Sequence, residues 1–379
     1  MERTNPYLNN VAYYLLMIFA VVLMLSNALA ETLAVIIILI WLAQSIAYRR
    51  KEWLNYPLFL PLVSLMIFKA LVLLVSGYQG KPGAAFEQIA LPLIYFVVPP
   101  IVVTFERRWT IIWLFITGAV LVSGISLIQF LLGLTPVAVS IISGPYTLAI
   151  FLGIALSLLL VIFAYQQKLS EKIFTAFIAL PLFAALIFTI TRTLYFVVGL
   201  MILILGIFKD RKLFVPFIVV IPMLYLFFPG SVAKIYDKFD YSSTRKFYSH
   251  RDRLIETGLA KVNEVDFFGH GINSFPVVAE EEIEAQKLSS RLTGWHNMYI
   301  ETLLDGGPFA LIILLWVLLA QVRYSWIKFR KTQDRSQKIY QLSMLLLIMC
   351  LILVGILDNP LSDQIIAMAV WMLLGLSVI

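Results

Sequence analysis

Charge is what this chain has least of. Only 13% of its 379 residues are Asp, Glu, Lys or Arg, against about a quarter in a soluble domain, which excludes an ordinary water-soluble globule. Cysteine is nearly absent. Cys350 stands alone inside an apolar run, so no intrachain disulfide and no thiolate metal cluster can form, and it reads as a small core residue. Histidine is scarce as well, and His250, His270 and His296 all fall between residues 230 and 297. No internal repeat or low-complexity tract is present. The first apolar run, about 11–30, lacks a small-residue cleavage site, so a true span is expected there in place of a removable signal.

What is abundant is apolar sequence. Hydrophobic residues make up 61% of the chain, and mean hydropathy is strongly positive. Runs of about 20 apolar residues recur along nearly the whole length, each able to cross a hydrocarbon core of about 30 Å as a helix. The fold expected is an all-α polytopic membrane protein with about twelve spans: 11–30, 32–48, 57–77, 86–104, 109–133, 145–165, 172–190, 193–208, 213–229, 307–327, 339–357 and 362–379. The links alternate in charge. Segments 48–53, 106–108, 168–172, 209–212 and 328–338 are basic, whereas NALAE, GYQGKPG, LGLTPV and LDNPLSD carry almost no Lys or Arg. The positive-inside bias then puts the basic links and both termini in the cytoplasm. The formal charge of +7 is absorbed by that bias and gives no reason to expect nucleic acid as a partner.

One long polar segment, 230–297, remains and is expected on the outer face. It divides the chain into an N-terminal membrane domain, 1–229, the loop, 230–297, and a C-terminal membrane domain, 298–379. The loop should be mainly helical. In RDRLIETGLAKV, the residues Leu254, Ile255, Leu259 and Val262 are predicted to form one face of a short helix. Gly269 and Gly271 flank His270 and permit a tight turn or a close backbone approach, which makes His270 a possible ligand contact. The glutamates of AEEEIEAQKL read as a solvated face and not as a metal site.

Several residues invite a functional reading. Arg192 falls where the seventh span turns into the eighth, and an arginine there costs roughly 2.5 to 3.5 kcal/mol on insertion scales, so it faces either a cavity or the lipid headgroups. Lys69, inside MIFKALVLL, either snorkels outward or pairs with an acid such as Glu87 or Asp358. Arg251 and Arg253 offer guanidinium forks suited to phosphate oxygens, the alternative being a surface pair with Asp252 or Glu256. Trp295 and Tyr299 can stack on a ligand or anchor a span at the interface. Asn297 can hydrogen-bond a ligand or cap a helix.

In LTGWHNMYIETLLDGG, His296 and Asn297 are followed by nine residues, Met298 to Gly306, and then Gly307. This spacing resembles the signature of the O-antigen ligase and polymerase superfamily. Upstream, RDRLIETGL and the Gly-x-Gly-x-x-x-Phe turn from Gly269 to Phe275 resemble that family's arginine-led helix and glycine turn, although the family more often has an aromatic where Ile255 stands. Arg192 is similar to the family's arginine at the outer start of a span. The resemblance covers most of the chain by order of features.

The resemblance implies glycosyl transfer, metal-independent and inverting, from an undecaprenyl-diphosphate-linked glycan on the periplasmic face of a bacterial inner membrane. It implies a lipid A-core sugar hydroxyl as acceptor in a ligase, or a second lipid-linked glycan in a polymerase, with no cofactor; the ligase branch is preferred. A protein O-oligosaccharyltransferase, or a transporter or flippase, are the alternatives, though a transporter should show repeat symmetry and broken helices at the midplane. Within this frame His296 is expected to act as general base, a task that suits a side chain of imidazole chemistry. Arg192, Arg251 and Arg253 are expected to bind the diphosphate.

Overall fold

The computed structural model describes residues 5–76, 87–214, 251–284 and 294–378. Among them the chain is helical and contains no β-strand. The long helices are α1 (Pro6–Val22), α2 (Asn27–Ala47), α3 (Phe59–Val75), α4 (Leu93–Ile101), α5 (Phe105–Leu131), α6 (Pro145–Tyr165), α7 (Leu169–Phe188) and α8 (Arg192–Phe208). They are followed by α9 (Arg251–Lys261), α10 (Met298–Lys331), α11 (Arg335–Gly355) and α12 (Gln364–Leu376). Six of these are long and apolar enough to cross a membrane, namely α2, α5, α6, α7, α10 and α11, and four shorter apolar helices accompany them. The protein is thus an all-helical, polytopic membrane bundle.

Local chemistry explains where the helices begin. Asn5 caps α1 by accepting from Tyr7 and Leu8, with Pro6 in the first turn. Ser26, Thr104, Asp334 and Asp363 cap α2, α5, α11 and α12 in the same way, each satisfying backbone donors that have no partner inside the helix. α6 is the axis of the bundle. Every residue from Leu148 to Ala164 is buried, and a helix that is apolar on all sides belongs inside a ring of others. α5, α7, α8, α11 and α12 pack around it.

Three of the twelve expected spans differ or fall outside view: the one expected at 11–30 ends at Val22, after which a turn leads into α2 at Asn27, so residues 27–30 belong to the next helix. The segment expected at 86–104 forms only the nine-residue α4 after a short turn at 87–90. Pro92, Pro99 and Pro100 lack the N–H that a continuous ladder needs, and α4 instead lies against α12, where the Gly375 site approaches the Tyr95 carbonyl. The segment expected at 213–229 lies almost wholly outside the described residues, as does His250.

The links sort to two ends of the bundle. At one end Arg108 Nη1 donates to Gln337 Oε1 at 3.0 Å, Arg335 donates to the Tyr165 carbonyl, and Lys172 pairs with Asp210. At the other end Thr147 donates to Asp363 at 2.6 Å, Ala138 N–H donates to the Phe188 carbonyl, and Ser76 Oγ donates to the Gly269 carbonyl at 3.4 Å. The basic links expected together by charge are therefore neighbours in space.

The polar segment builds a small core of its own from Leu254, Phe275, Ala279 and Trp295, closed by Ile300 and Leu304 from α10. On α9 the buried stripe is Leu254, Ile255, Gly258 and Val262. Leu259, expected in that stripe, is 57% exposed, because the face turned to α10 is narrow and centred on Gly258, whose missing Cβ lets Trp295 and Ile300 come close. Glu280, Glu281 and Glu284 are exposed, and Lys261 pairs with both Glu264 and Glu281.

Candidate active site

The site is assembled where the polar segment meets α10. The nine residues after Asn297 form two and a half turns of helix, and Gly307 breaks it with φ 74° before Pro308 restarts it. Gly269 (φ 69°) and Gly307 face each other across the loop. A Cβ on Gly307 would stand 2.2 Å from the Phe267 carbonyl oxygen, and one on Gly269 would stand 2.6 Å from the Asp305 carbonyl. Both positions need a positive φ and a bare backbone at once, which only glycine supplies cheaply. The approach satisfies the helix end. His270 N–H donates to the Leu304 carbonyl at 2.8 Å and Gly271 N–H to the Asp305 carbonyl at 3.0 Å, closing acceptors that the break leaves open. The Asp305 carboxylate in turn accepts from Asn273 N–H, Ser274 N–H and Ser274 Oγ.

The N-terminal end of the same helix is fixed to the link 356–363. Asn297 Oδ1 accepts from the Tyr299 and Ile300 amides, while its Nδ2 donates to the Ile356 carbonyl at 2.7 Å. The Met298 amide donates to the Asp358 carbonyl, and Tyr299 Oη to the Ile352 carbonyl at 2.9 Å. His296 sits between these anchors with φ 49°, a conformation uncommon for a residue with a Cβ. Its Nδ1 lies 3.2 Å from Asp358 Oδ1, and its side chain keeps 31% of its surface open against 14% for Asp358. With Nδ1–H donated to the carboxylate, Nε2 carries the lone pair and faces outward from the pair. Asp358 also accepts from the Asn359 amide at 2.8 Å, and Asn359 Nδ2 donates to Glu301 Oε1 at 2.8 Å.

The other sequence candidates divide into those brought to this end and those committed elsewhere. Arg192 opens α8 and is half-buried. Leu194 of α8 and Cys350 of α11 both border Gly153 of α6, about two turns along α11 from Asp358. Arg251 begins α9, and Arg253 on the same helix is exposed; α9 rests on Trp295 and Ile300 beside His296. Trp295 is 0% exposed and meets Phe275 edge-on at 4.9 Å, so it has no face for a sugar and serves as the loop's core. Asn297 is occupied at both ends of its amide, and Tyr299 is tied to α11. His270 contributes its backbone to the glycine turn and is half-buried.

Lys69 does not pair with Asp358, which His296 takes, nor with Glu87. Its Nζ lies 3.5 Å from Gln88 Oε1, and it lines a pocket with Glu301, Asp305, Asn359 and Trp371. Glu301, Asp305 and the orienting role of Asp358 were missed by sequence reasoning. Glu301 and Asp305 fall at i and i+4, one face of the helix between the motif's histidine and its glycine, and that spacing was a usable signal. Among the described residues no group of three or more His, Cys, Asp and Glu side chains is arranged to hold a metal ion.

Residues 177–315 match the O-antigen ligase family model, which supports the O-antigen ligase superfamily and glycan transfer of the ligase or polymerase type. The matched stretch contains Arg192, α9, the glycine turn, His296 and Gly307. No curated protein matches the chain.

Proposed function

We propose, on the O-antigen ligase match and the His296–Asp358 pair within hydrogen-bonding reach, that the protein moves a glycan from undecaprenyl diphosphate to a sugar hydroxyl of lipid A-core. The observation that carries this reading is the imidazole held at Nδ1 by Asp358 while 31% of its side chain stays exposed. In the step, the acceptor oxygen forms a bond to the anomeric carbon as the carbon–oxygen bond to the diphosphate breaks. The hydroxyl proton passes to His296 Nε2, and the lipid diphosphate leaves with the electron pair. Attack from the side opposite the leaving group inverts the anomeric centre. Asp358 holds the imidazole in one tautomer and stabilises the cation it becomes, the role of the third member in a nucleophile–base–acid array.

The leaving group carries negative charge, and guanidinium groups answer it with planar, permanently charged forks. Arg192, Arg251 and Arg253 are assigned to the diphosphate. In this reading the site faces the periplasm from the inner membrane, with the basic end and both termini in the cytoplasm, as the distribution of Lys and Arg favours.

Transfer by the purified protein tests the reading, with glycan-bearing undecaprenyl diphosphate as donor and lipid A-core or a second glycan-lipid as acceptor in separate reactions. Glycan is expected on lipid A-core, falling by about 10² to 10⁴ in His296→Ala. Elongated glycan on the polyprenyl carrier would assign a polymerase instead, and normal transfer by His296→Ala would remove the histidine from the chemistry.

A further inference from the structure

A pocket lined by Asn359, the neighbour of the Asp358 that holds His296, is not used by the step above. It lies between α3, the 88–92 segment, the start of α10, the 356–363 link and α12. Its cavity volume is about 70 Å³, several times the space that a single water needs. Leu65, Val72, Leu314 and Trp371 give it an apolar wall, while Lys69, Glu301 and Asp305 bring three ionisable side chains into it. Each of the three is half-buried.

Charges among apolar helices are costly unless they pair closely or serve a ligand. Among the described residues no ion pair within 4.0 Å closes between Lys69 and either Asp305 or Glu301, and Gln88 Oε1 is the bonded neighbour of Lys69. The gap is occupied by the pocket. The two carboxyl groups offer oxygens to the hydroxyls of a ligand, while the Lys69 amine and the Gln88 and Asn359 amides serve oxygen atoms of the same ligand. Polar edges with an apolar wall suit a neutral polyol ring.

The pocket also shares its frame with the base. Asn359 joins Glu301 through its side chain and Asp358 through its amide, and Asp358 holds His296. We propose that this pocket is a sugar subsite, taking a neutral, hydroxyl-rich ring from one of the two glycans and setting it beside His296. The proposal rests on the transferase reading for the identity of the glycans, but its binding chemistry does not require transfer to occur.

Binding to the full-length protein in lipid nanodiscs tests it with three probes: lipid-free core oligosaccharide, glycan-bearing undecaprenyl diphosphate and bare undecaprenyl diphosphate. Lys69→Met and Glu301→Gln keep side-chain length while removing charge. One sugar-bearing probe is expected to bind at least about ten-fold more weakly to both variants, a loss of about 1.4 kcal/mol, and which probe responds names the glycan. Bare lipid should stay within about two-fold. Unchanged binding of both sugar-bearing probes, or an equal loss for the bare lipid, overturns the subsite. If either charge variant loses its cooperative melt, Thr302→Val, which lines the same pocket, decides by the same criteria. Sugar binding lost in the variants while the wild type transfers nothing would keep the subsite and remove the transferase reading. Transfer dependent on His296 with sugar binding intact in both variants would do the reverse.

Discussion

The two ends of the bundle handle charge in opposite ways. At the basic end several cations are closed by the protein itself: Lys172 by Asp210, Arg108 by Gln337 and the Tyr340 ring, Arg107 by Asn10 and the Tyr13 ring. At the end carrying His296, an imidazole keeps an open nitrogen and a lysine and two carboxylates share a pocket without closing on one another. The same residue types are structural where their partners are built in, and available for chemistry where a partner is left to arrive. Counting charges in sequence does not separate these cases; the partners do.

That contrast can be broken at defined points. The largest effect is expected from Gly307→Ala, which forces a Cβ into the Phe267 carbonyl at a positive φ. Strain and displacement together should cost about 3 kcal/mol or more, read as a lowered melting temperature and near-complete loss of transfer. Asp358→Asn should leave stability almost unchanged but slow transfer about 10²-fold, about 2.7 kcal/mol of barrier, because the amide can hold the wrong imidazole tautomer. An equal loss of stability and rate would make Asp358 a structural residue like those at the far end. Lys172→Met should show the mirror image, with transfer retained and stability lowered by about 1 to 3 kcal/mol as Asp210 loses its partner. The smallest change is expected for Leu259→Ser, within about 0.5 kcal/mol, whereas Gly258→Ala one residue earlier should be clearly destabilising in the same melt.

How much of this was legible beforehand depends on whether a local pattern or a distant partner fixes the residue. Long apolar runs declare α2, α5, α6, α7, α10 and α11, since twenty oily residues have few alternatives. The shortened α4 was written in Pro92, Pro99 and Pro100, but apolar content outweighed them in a length-based reading. His296 and Gly307 were visible through their spacing. Asp358 was not, because nothing within 60 residues of it in the chain announces that it will stand against an imidazole. Trp295 misled for a related reason. Beside a histidine in sequence it suggests a stacking platform, yet its side chain turns to the opposite side, into a core made by Leu254 and Phe275. Neighbours in sequence share a backbone and need not share a surface.

The helix between Asn297 and Gly307 acts as a gauge block. Its length sets the distance between two docking stations, the 356–358 link at one end and the 266–271 turn at the other, and its pitch sets their relative orientation. One residue added or removed would move the far station by about 1.5 Å and swing it by about 100°, so that the imidazole and the glycine contact could not both be seated. Length here is a dimension of the machine.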